Sequence, residues 1–149
     1  MPVADPCIFC TIARREASAS IVCEDERTLA FLDIRPINPG HTLVIPKAHA
    51  AMLADLSPED GGGIFRTGMR VAAALRGSGV RCEGVNFHLA DGEAAGQEVF
   101  HVHLHVFPRF RGDGVGLRMG PGYGSMPSRA ELDATGAAIR THLAASPPD

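Results

Sequence analysis

Apolar and polar positions along this chain follow two periods, which together predict an ordered series of strands and helices. Runs of β-branched and apolar residues predict strands at 21–24, 28–34, 41–45, 85–89 and 101–107. Apolar residues at helical spacing predict helices over 10–16, 58–77 and 128–145. Five or six strands and two or three helices, joined by short connections, predict an α+β fold around an antiparallel sheet.

Local signals mark several of these boundaries. Ser57 followed by Pro58 predicts an N-cap and a first helical residue, and Ser128 with Glu131 has the pattern of a capping box. Proline and glycine at 36–40 predict a tight turn before the third strand.

Length and charge narrow the class of protein. The chain has 149 residues, of which 45% are hydrophobic, and its formal net charge is −3. We expect one domain, 1–149, with a motif-bearing core at about 7–111 and a tail and helix at about 112–149. Apolar runs are too short for a transmembrane helix and residues 1–5 lack the features of a signal peptide, so a cytoplasmic protein is predicted. The negative charge argues against binding nucleic acid or an acidic membrane.

Three histidines alternate with apolar residues in the predicted strand 101–107. Alternation places His101, His103 and His105 on one face and the intervening apolar residues on the other. Since the apolar face must cover the core, we expect the imidazoles to look outward or into a cleft. A polar strand face that happens to use histidine is the simpler interpretation. Chemically, neutral imidazole serves as a nucleophile, a metal ligand or a proton carrier.

Cys7 and Cys10 form a C-x-x-C pair, whereas Cys23 and Cys82 have the character of single buried thiols. Such a pair alone is compatible with redox chemistry, a structural metal or neither, and the flanking sequence lacks the βαβ context of a redox motif. Two thiolates need two more ligands for a tetrahedral zinc site. His49 and one histidine of the row would complete a Cys₂His₂ set.

Several spaced motifs resemble the histidine triad (HIT) family. The stretch 101–109 resembles its H-x-H-x-H motif, and segments 33–47 and 95–97 also agree with it. The N-terminal stretch 7–12 is similar to the zinc-containing bacterial branch. The resemblance implies a HIT-like fold of about five antiparallel strands with two to three helices, and a homodimer.

The resemblance also implies chemistry at the α-phosphate of a purine nucleotide. His103 would attack phosphorus and form a covalent nucleotidyl-histidine, and His105 would donate to the phosphoryl oxygens. His101 would be a ligand of a structural zinc together with Cys7, Cys10 and His49.

Further residues receive roles by the same resemblance. Gln97 would contact the phosphate or leaving group, Asp33 the ribose hydroxyls, and His41 would support the triad. The apolar pocket for the base would be lined by Ile8, Phe9, Ile12, Phe31 and Ile34. Without the family, Gln97 is an ordinary loop residue, Asp33 a strand-end cap and the apolar residues plain core.

The implied activity is that of a nucleotide hydrolase or nucleotidyl transferase acting on adenosine-type nucleotides. Both a nucleoside phosphoramidase and a dinucleoside polyphosphate hydrolase fit, and Pro108-Arg109 resembles the second branch more closely. Ala90 and Glu98 depart from the family pattern, which puts the substrate preference in question. The alternative is a nucleotide-binding or interaction protein with little catalytic activity.

Overall fold

Residues 7–145 are described by a computed structural model of the chain. Their core is a five-stranded antiparallel sheet with the order β1-β2-β3-β5-β4. The strands are β1 (Ile21–Glu24), β2 (Thr28–Leu32), β3 (Thr42–Pro46), β4 (Gly84–His88) and β5 (Leu104–Arg109). The α-helices are α1 (Ile8–Ala13), α2 (Pro58–Gly77) and α3 (Arg129–Ala145). Within the described residues this confirms the predicted α+β class.

The fifth strand begins later than predicted, at Leu104 instead of residue 101. Hydrogen bonds to the end of β3 and to the chain that follows it explain the difference. The Val102 amide donates to the Ala50 carbonyl at 2.8 Å, and the Pro46 carbonyl lies 2.8 Å from the His101 ring. The first two histidines of the row therefore stand on an irregular segment tied to this loop.

One face of the sheet packs against α2. Val102, Leu104 and Val106 lie in the same buried cluster as three α2 residues, Ile64, Val71 and Leu75. Close approach depends on Gly68 of α2, where a Cβ atom would stand 2.9 Å from Leu104 Cδ2 and 3.1 Å from a Phe87 ring carbon. The predicted separation of the apolar residues from the histidines is therefore correct.

The opposite face carries two different surfaces. Helix α1 covers the β2 and β3 part through a second buried cluster, formed by Phe9, Ile12, Leu29, Phe31, Leu43 and Ile45. On β5, His105 is paired with Leu43 of β3 and with His88 of β4. Directly paired residues of antiparallel strands share a face, so His88 and His105 stand side by side there.

The predicted caps are present. Ser57 Oγ accepts a hydrogen bond from the Asp60 amide, and Ser128 and Glu131 bond reciprocally in a capping box. The turn before β3 contains Gly40 at φ +103°, a conformation that favours glycine.

The chain divides into two compact units, Met1–Val115 and Gly116–Asp149. The second contains α3, whose Leu132, Ile139 and Leu143 are exposed. None of the helices found between residues 7 and 145 is long and apolar enough to cross a membrane. Residues 1–5, used above in predicting the location, lie outside the described part. One domain over 1–149 remains a prediction.

Candidate active site and metal cluster

Four potential metal ligands converge where α1 meets the segment before β5. Cys7, Cys10, His49 and His101 each bring one ligand atom, all within 4.8 Å of one another. The His101 Nδ1 atom is 3.3 Å from Cys7 Sγ, 3.5 Å from Cys10 Sγ and 3.2 Å from His49 Nδ1. A tetrahedral Cys₂His₂ zinc site has ligand-to-ligand separations of about 3.3 to 3.8 Å, so the geometry fits zinc.

The protonation of His101 agrees with a ligand role. A carbonyl oxygen only accepts, so the 2.8 Å contact with Pro46 O places the ring hydrogen on Nε2. The lone pair on Nδ1 then faces the two thiols and His49. His101 is fully buried, and this burial lowers its pKa and favours the neutral form that a metal requires. Of the two orientations expected for the row, outward or into a cleft, His101 does not have the outward one, because it faces the ligand cluster.

His103 has the tautomer of a nucleophile. Its Nδ1 lies 2.8 Å from the His101 carbonyl and donates to it, which leaves a lone pair on Nε2. Burial, chiefly, lowers the pKa of His103 and keeps the ring neutral. Phe9 packs edge-on against the ring with centroids 5.1 Å apart. The site thus holds an oriented neutral imidazole.

His105 has the opposite tautomer, because the chain of hydrogen bonds that ends at its ring begins at a backbone amide and not at a carbonyl. The Ile37 N–H donates to His41 Nδ1 at 3.0 Å, so neutral His41 carries its hydrogen on Nε2. That N–H donates to His105 Nδ1 at 2.9 Å, and His105 in turn carries its hydrogen on Nε2. Burial, followed by the neighbouring His103, lowers the pKa of His105 to about 4. His105 is therefore a neutral donor.

A second group of metal-ligand types, Asp33, His41 and His105, lies within reach of a single ion. The hydrogen-bond chain argues against a metal there. His41 accepts through Nδ1 and donates through Nε2, so it has no lone pair left unless the Ile37 contact breaks. Of the two groups found among residues 7–145, the Cys₂His₂ cluster is the one whose ligand lone pairs are directed at one point.

Asp33 uses one carboxylate oxygen for a backbone contact and leaves the other beside His41. Its Oδ1 accepts from the Arg35 amide at 2.9 Å and closes the end of β2. Its Oδ2 lies 3.7 Å from His41 Nε2, with a fifth of the side chain exposed. The strand-end role is therefore observed, and a contact with the ribose hydroxyls remains a prediction.

Gln97 is occupied by the protein itself. Its Nε2 donates to the Ala51 and Val99 carbonyls at 2.7 and 3.0 Å, and its Oε1 accepts from the Gly92 amide at 2.7 Å. The side chain is buried. Because every hydrogen-bonding group of the amide has a backbone partner, the observed role of Gln97 is to hold the loop before the triad.

The residues assigned to a base pocket separate into two groups. Phe9, Ile12 and Phe31 are buried in the cluster beneath α1. Ile8 is half exposed, and Ile34 is 92% exposed just beyond Asp33. Of these five residues, a base can reach Ile8, Ile34 and the edges of the buried cluster.

Arg109, the last residue of β5, is held by groups of the protein itself. It pairs with both oxygens of buried Asp113 at 2.7 and 3.0 Å, and it also donates to Asn86 and to the Val115 carbonyl. The guanidinium holds the pKa of Asp113 far below its usual range. Asp113 also accepts from Asn38, which anchors the turn that carries Ile37.

Sequence reasoning assigned no role to Asp113, Asn38 or His88. Only the strand register brings His88 to the site, with ring centroids 5.6 Å from His105. In the sequence, the signal for His88 was its place two residues after Asn86 on a predicted strand, which puts both polar side chains on one face.

The fold and the site define the class: an α+β protein in which a three-histidine site is joined to a Cys₂His₂ cluster. The family model described as HIT domain matches residues 14–112. A HIT-like protein of Mycobacterium tuberculosis is 42% identical over 139 residues, 93% of this chain and 94% of that protein. The chain belongs to the HIT family, whose members are generally nucleotide hydrolases or transferases.

Solved structures agree with the fold. A HIT family protein from Bacillus anthracis has a TM-score of 0.85 and 37% identity, over 95% of this chain and 99% of that one. A zinc-bound histidine triad family protein from Mycobacterium smegmatis has a TM-score of 0.72 and 43% identity, over 92% and 97% of the two chains. These matches confirm the HIT-like fold, and the second, with the cluster, supports metal binding.

Proposed function

We propose that this protein is a nucleotide hydrolase or nucleotidyl transferase that forms a covalent intermediate on His103. One observation carries the proposal: the His101 carbonyl binds His103 Nδ1–H and leaves the Nε2 lone pair to a neutral, buried ring. A neutral imidazole held in one tautomer is an effective nucleophile toward phosphorus.

The reaction has two displacements. His103 Nε2 attacks the α-phosphorus, the bond from phosphorus to the leaving nitrogen or oxygen breaks, and the leaving group departs with that electron pair and takes up a proton. Water then attacks phosphorus and loses a proton, the bond from phosphorus to Nε2 breaks with its electron pair returning to the ring, and the nucleoside monophosphate leaves neutral His103. His105, which carries its hydrogen on Nε2, donates to the phosphoryl oxygens as charge develops.

Substrate contacts follow from groups that the protein leaves open. Asp33 Oδ2 would accept from the ribose hydroxyls of an adenosine-type nucleotide, and the exposed Ile8 and Ile34 would flank the base. Gln97 would act by holding the 92–97 loop, because both of its Nε2 hydrogens and its Oε1 are already bonded to the backbone.

Zinc would be held by Cys7, Cys10, His49 and His101 and would join the N-terminal segment to the segment two residues before the nucleophile. When bound, the ion supplies a structural crosslink and charge balance for two thiolates. Reduced cysteines fit a cytoplasmic protein, which we also propose.

The intermediate can be tested directly. After rapid mixing with adenosine 5′-phosphoramidate or diadenosine tetraphosphate, mass spectrometry should find one adenylyl group on His103. His103→Gln should lose the adduct and turnover by about 10³-fold or more. His142→Gln, the same change at an exposed histidine of α3, is the matched control and should retain both. Undiminished turnover in His103→Gln would refute the mechanism.

A competition assay with the same two substrates distinguishes the remaining alternatives. Preferential loss of the phosphoramidate indicates a phosphoramidase, and preferential loss of the dinucleotide indicates a polyphosphate hydrolase. Binding of adenosine monophosphate without turnover of either substrate would favour a nucleotide-binding protein instead.

A homodimer is the assembly we propose. Strand β4 lies at an edge of the sheet, and Phe65 and Met69 of α2 expose apolar surface. Sedimentation equilibrium should give twice the chain mass of 15.7 kDa.

A further inference from the structure

The protonation of His105 depends on one backbone amide in the turn before β3. Within the described residues, His41 Nδ1 has a single hydrogen-bond partner, the Ile37 N–H at 3.0 Å. If that N–H moved away, neutral His41 could carry its hydrogen on Nδ1 and accept at Nε2. The contact between the two rings would then reverse, and His105 Nε2 would present a lone pair to the phosphoryl oxygens in place of a hydrogen.

Asp33 gives only partial control over the same ring. Its Oδ2 lies 3.7 Å from His41 Nε2, beyond hydrogen-bond distance, and a fifth of its side chain is exposed. Its charge favours a hydrogen on Nε2 without fixing it there. Loss of the Ile37 contact should therefore leave a mixture of the two tautomers.

Asn38 ties this turn to the strand that carries His105. Its side chain is buried, and its Nδ2 group donates to the Pro108 carbonyl at 2.9 Å and to Asp113 Oδ2 at 3.0 Å. Pro108 belongs to β5, three residues after His105. Because Asn38 directly follows Ile37, its buried side chain fixes the Ile37 amide relative to β5.

The far end of this tie is itself held firmly. Asp113 keeps only 3% of its side-chain surface and pairs with the Arg109 guanidinium at 2.7 and 3.0 Å. The same carboxylate accepts from the backbone amides of Phe110 and Val115. A carboxylate with this many partners has no freedom to rotate, so Asn38 is bound to a fixed point at the end of β5.

We infer that Asn38 is a positioning residue that keeps His105 a hydrogen-bond donor. It acts through Ile37 and His41. The inference rests on the proposed function, in which His105 donates to the phosphoryl oxygens as charge develops. Since that bond matters most in the transition state, its loss should lower kcat more than it changes KM.

Ring nitrogen resonances of the full-length protein, labelled with ¹⁵N in histidine, test the inference at about pH 8, above an ordinary imidazole pKa. Protonated and unprotonated ring nitrogens resonate far apart, and His105→Asn identifies the signals of this ring. Wild type should carry the hydrogen on His105 Nε2 alone, whereas Asn38→Ala should show both tautomers. Asn38→Ser, which suits a turn but is one atom too short to reach Pro108, should do the same and replaces Asn38→Ala if that variant does not fold.

Turnover should follow the tautomer. In Asn38→Ala, kcat should fall about fivefold or more for both adenosine 5′-phosphoramidate and diadenosine tetraphosphate, with KM within about twofold. Thr67→Val is the matched control, because it removes a buried hydrogen bond of 2.9 Å to Thr28, between α2 and β2. This control should lose stability but keep kcat and the His105 signals.

A wild-type His105 tautomer in the folded Asn38 variants would overturn the inference, whatever their kcat. Mixed tautomers with an unchanged kcat would also overturn it, as would the same mixture in Thr67→Val. The ring signals need no turnover, so they decide the positioning role even if the adduct on His103 is not found.

Discussion

Two groups of histidines on this protein differ in the backbone partner of one ring nitrogen. His101 and His103 each donate to a carbonyl, so the other nitrogen keeps its lone pair for a metal or for phosphorus. His41 accepts from an amide, so it and His105 carry hydrogens on Nε2 and act as donors. The same side chain thus becomes a ligand, a nucleophile or a donor according to whether C=O or N–H faces it.

The largest effect is expected from breaking the metal cluster. Cys7→Ser should reduce zinc from about one ion per chain and destabilise the protein by several kcal/mol, because structural zinc binding contributes to folding free energy. Turnover at His103 should be affected less than the free energy of unfolding, since Cys7 contacts His101 and not the nucleophile. Metal analysis and thermal unfolding check this, with Cys82→Ser as the matched thiol control. A second zinc per chain would contradict the assignment of the Asp33, His41 and His105 group.

Interrupting the donor chain comes next. His41→Leu removes the N–H that fixes His105, so turnover should fall about 10- to 100-fold while zinc content stays unchanged. His41→Gln, which retains a donor, should be less impaired. Loss of zinc in His41→Leu would show that the two histidine groups are not independent.

Removing the loop anchor should have a smaller effect. Gln97→Ala breaks three hydrogen bonds to backbone groups and should cost about 2 to 4 kcal/mol in the free energy of unfolding. The kcat/KM values of different substrates should decline together, because Gln97 acts through the loop. A loss confined to one leaving group would restore the direct contact expected from the sequence.

The smallest expected effect is a loss of stability at acid pH that depends on His105. His105 has a pKa of about 4 in the folded chain against an ordinary 6.5, so the unfolded chain binds more protons between these values. Its contribution to stability is complete above pH 6.5 and is lost as the pH falls toward 4. The titratable groups that face this ring are His103, His41, His88 and Asp33. Between pH 6.5 and pH 4, the free energy of unfolding should fall by about 1 to 2 kcal/mol more in wild type than in His105→Asn. Denaturant unfolding at several pH values measures this difference. Identical slopes would contradict the shift.

Local patterns predicted much of the fold. The alternation at 101–107 separated the Val102, Leu104 and Val106 face from the histidines, and Ser57 and Ser128 marked two helix starts. Strand ends were less predictable, because β5 begins at Leu104 only after the Val102 amide binds Ala50, a contact that alternation cannot reveal.

The sequence indicated many residues of the candidate site but not the hydrogen-bond partners that determine what each can do. Gln97 was expected at the substrate, yet its side-chain amide is hydrogen-bonded to backbone groups of Ala51, Val99 and Gly92. His88 had no assigned role until the register with β5 placed it beside His105. Both outcomes depend on partners far along the chain.

The sequence by itself determined which side chains are present, their alternation, and therefore which face of each strand is apolar. These are local properties, set by backbone geometry over a few residues. Only the tertiary structure decided that His101 completes a cluster with Cys7, that Ile37 orients His41, and that His88 meets His105. Hydrogen-bond partners determine tautomers, and those partners come together only when distant segments pack.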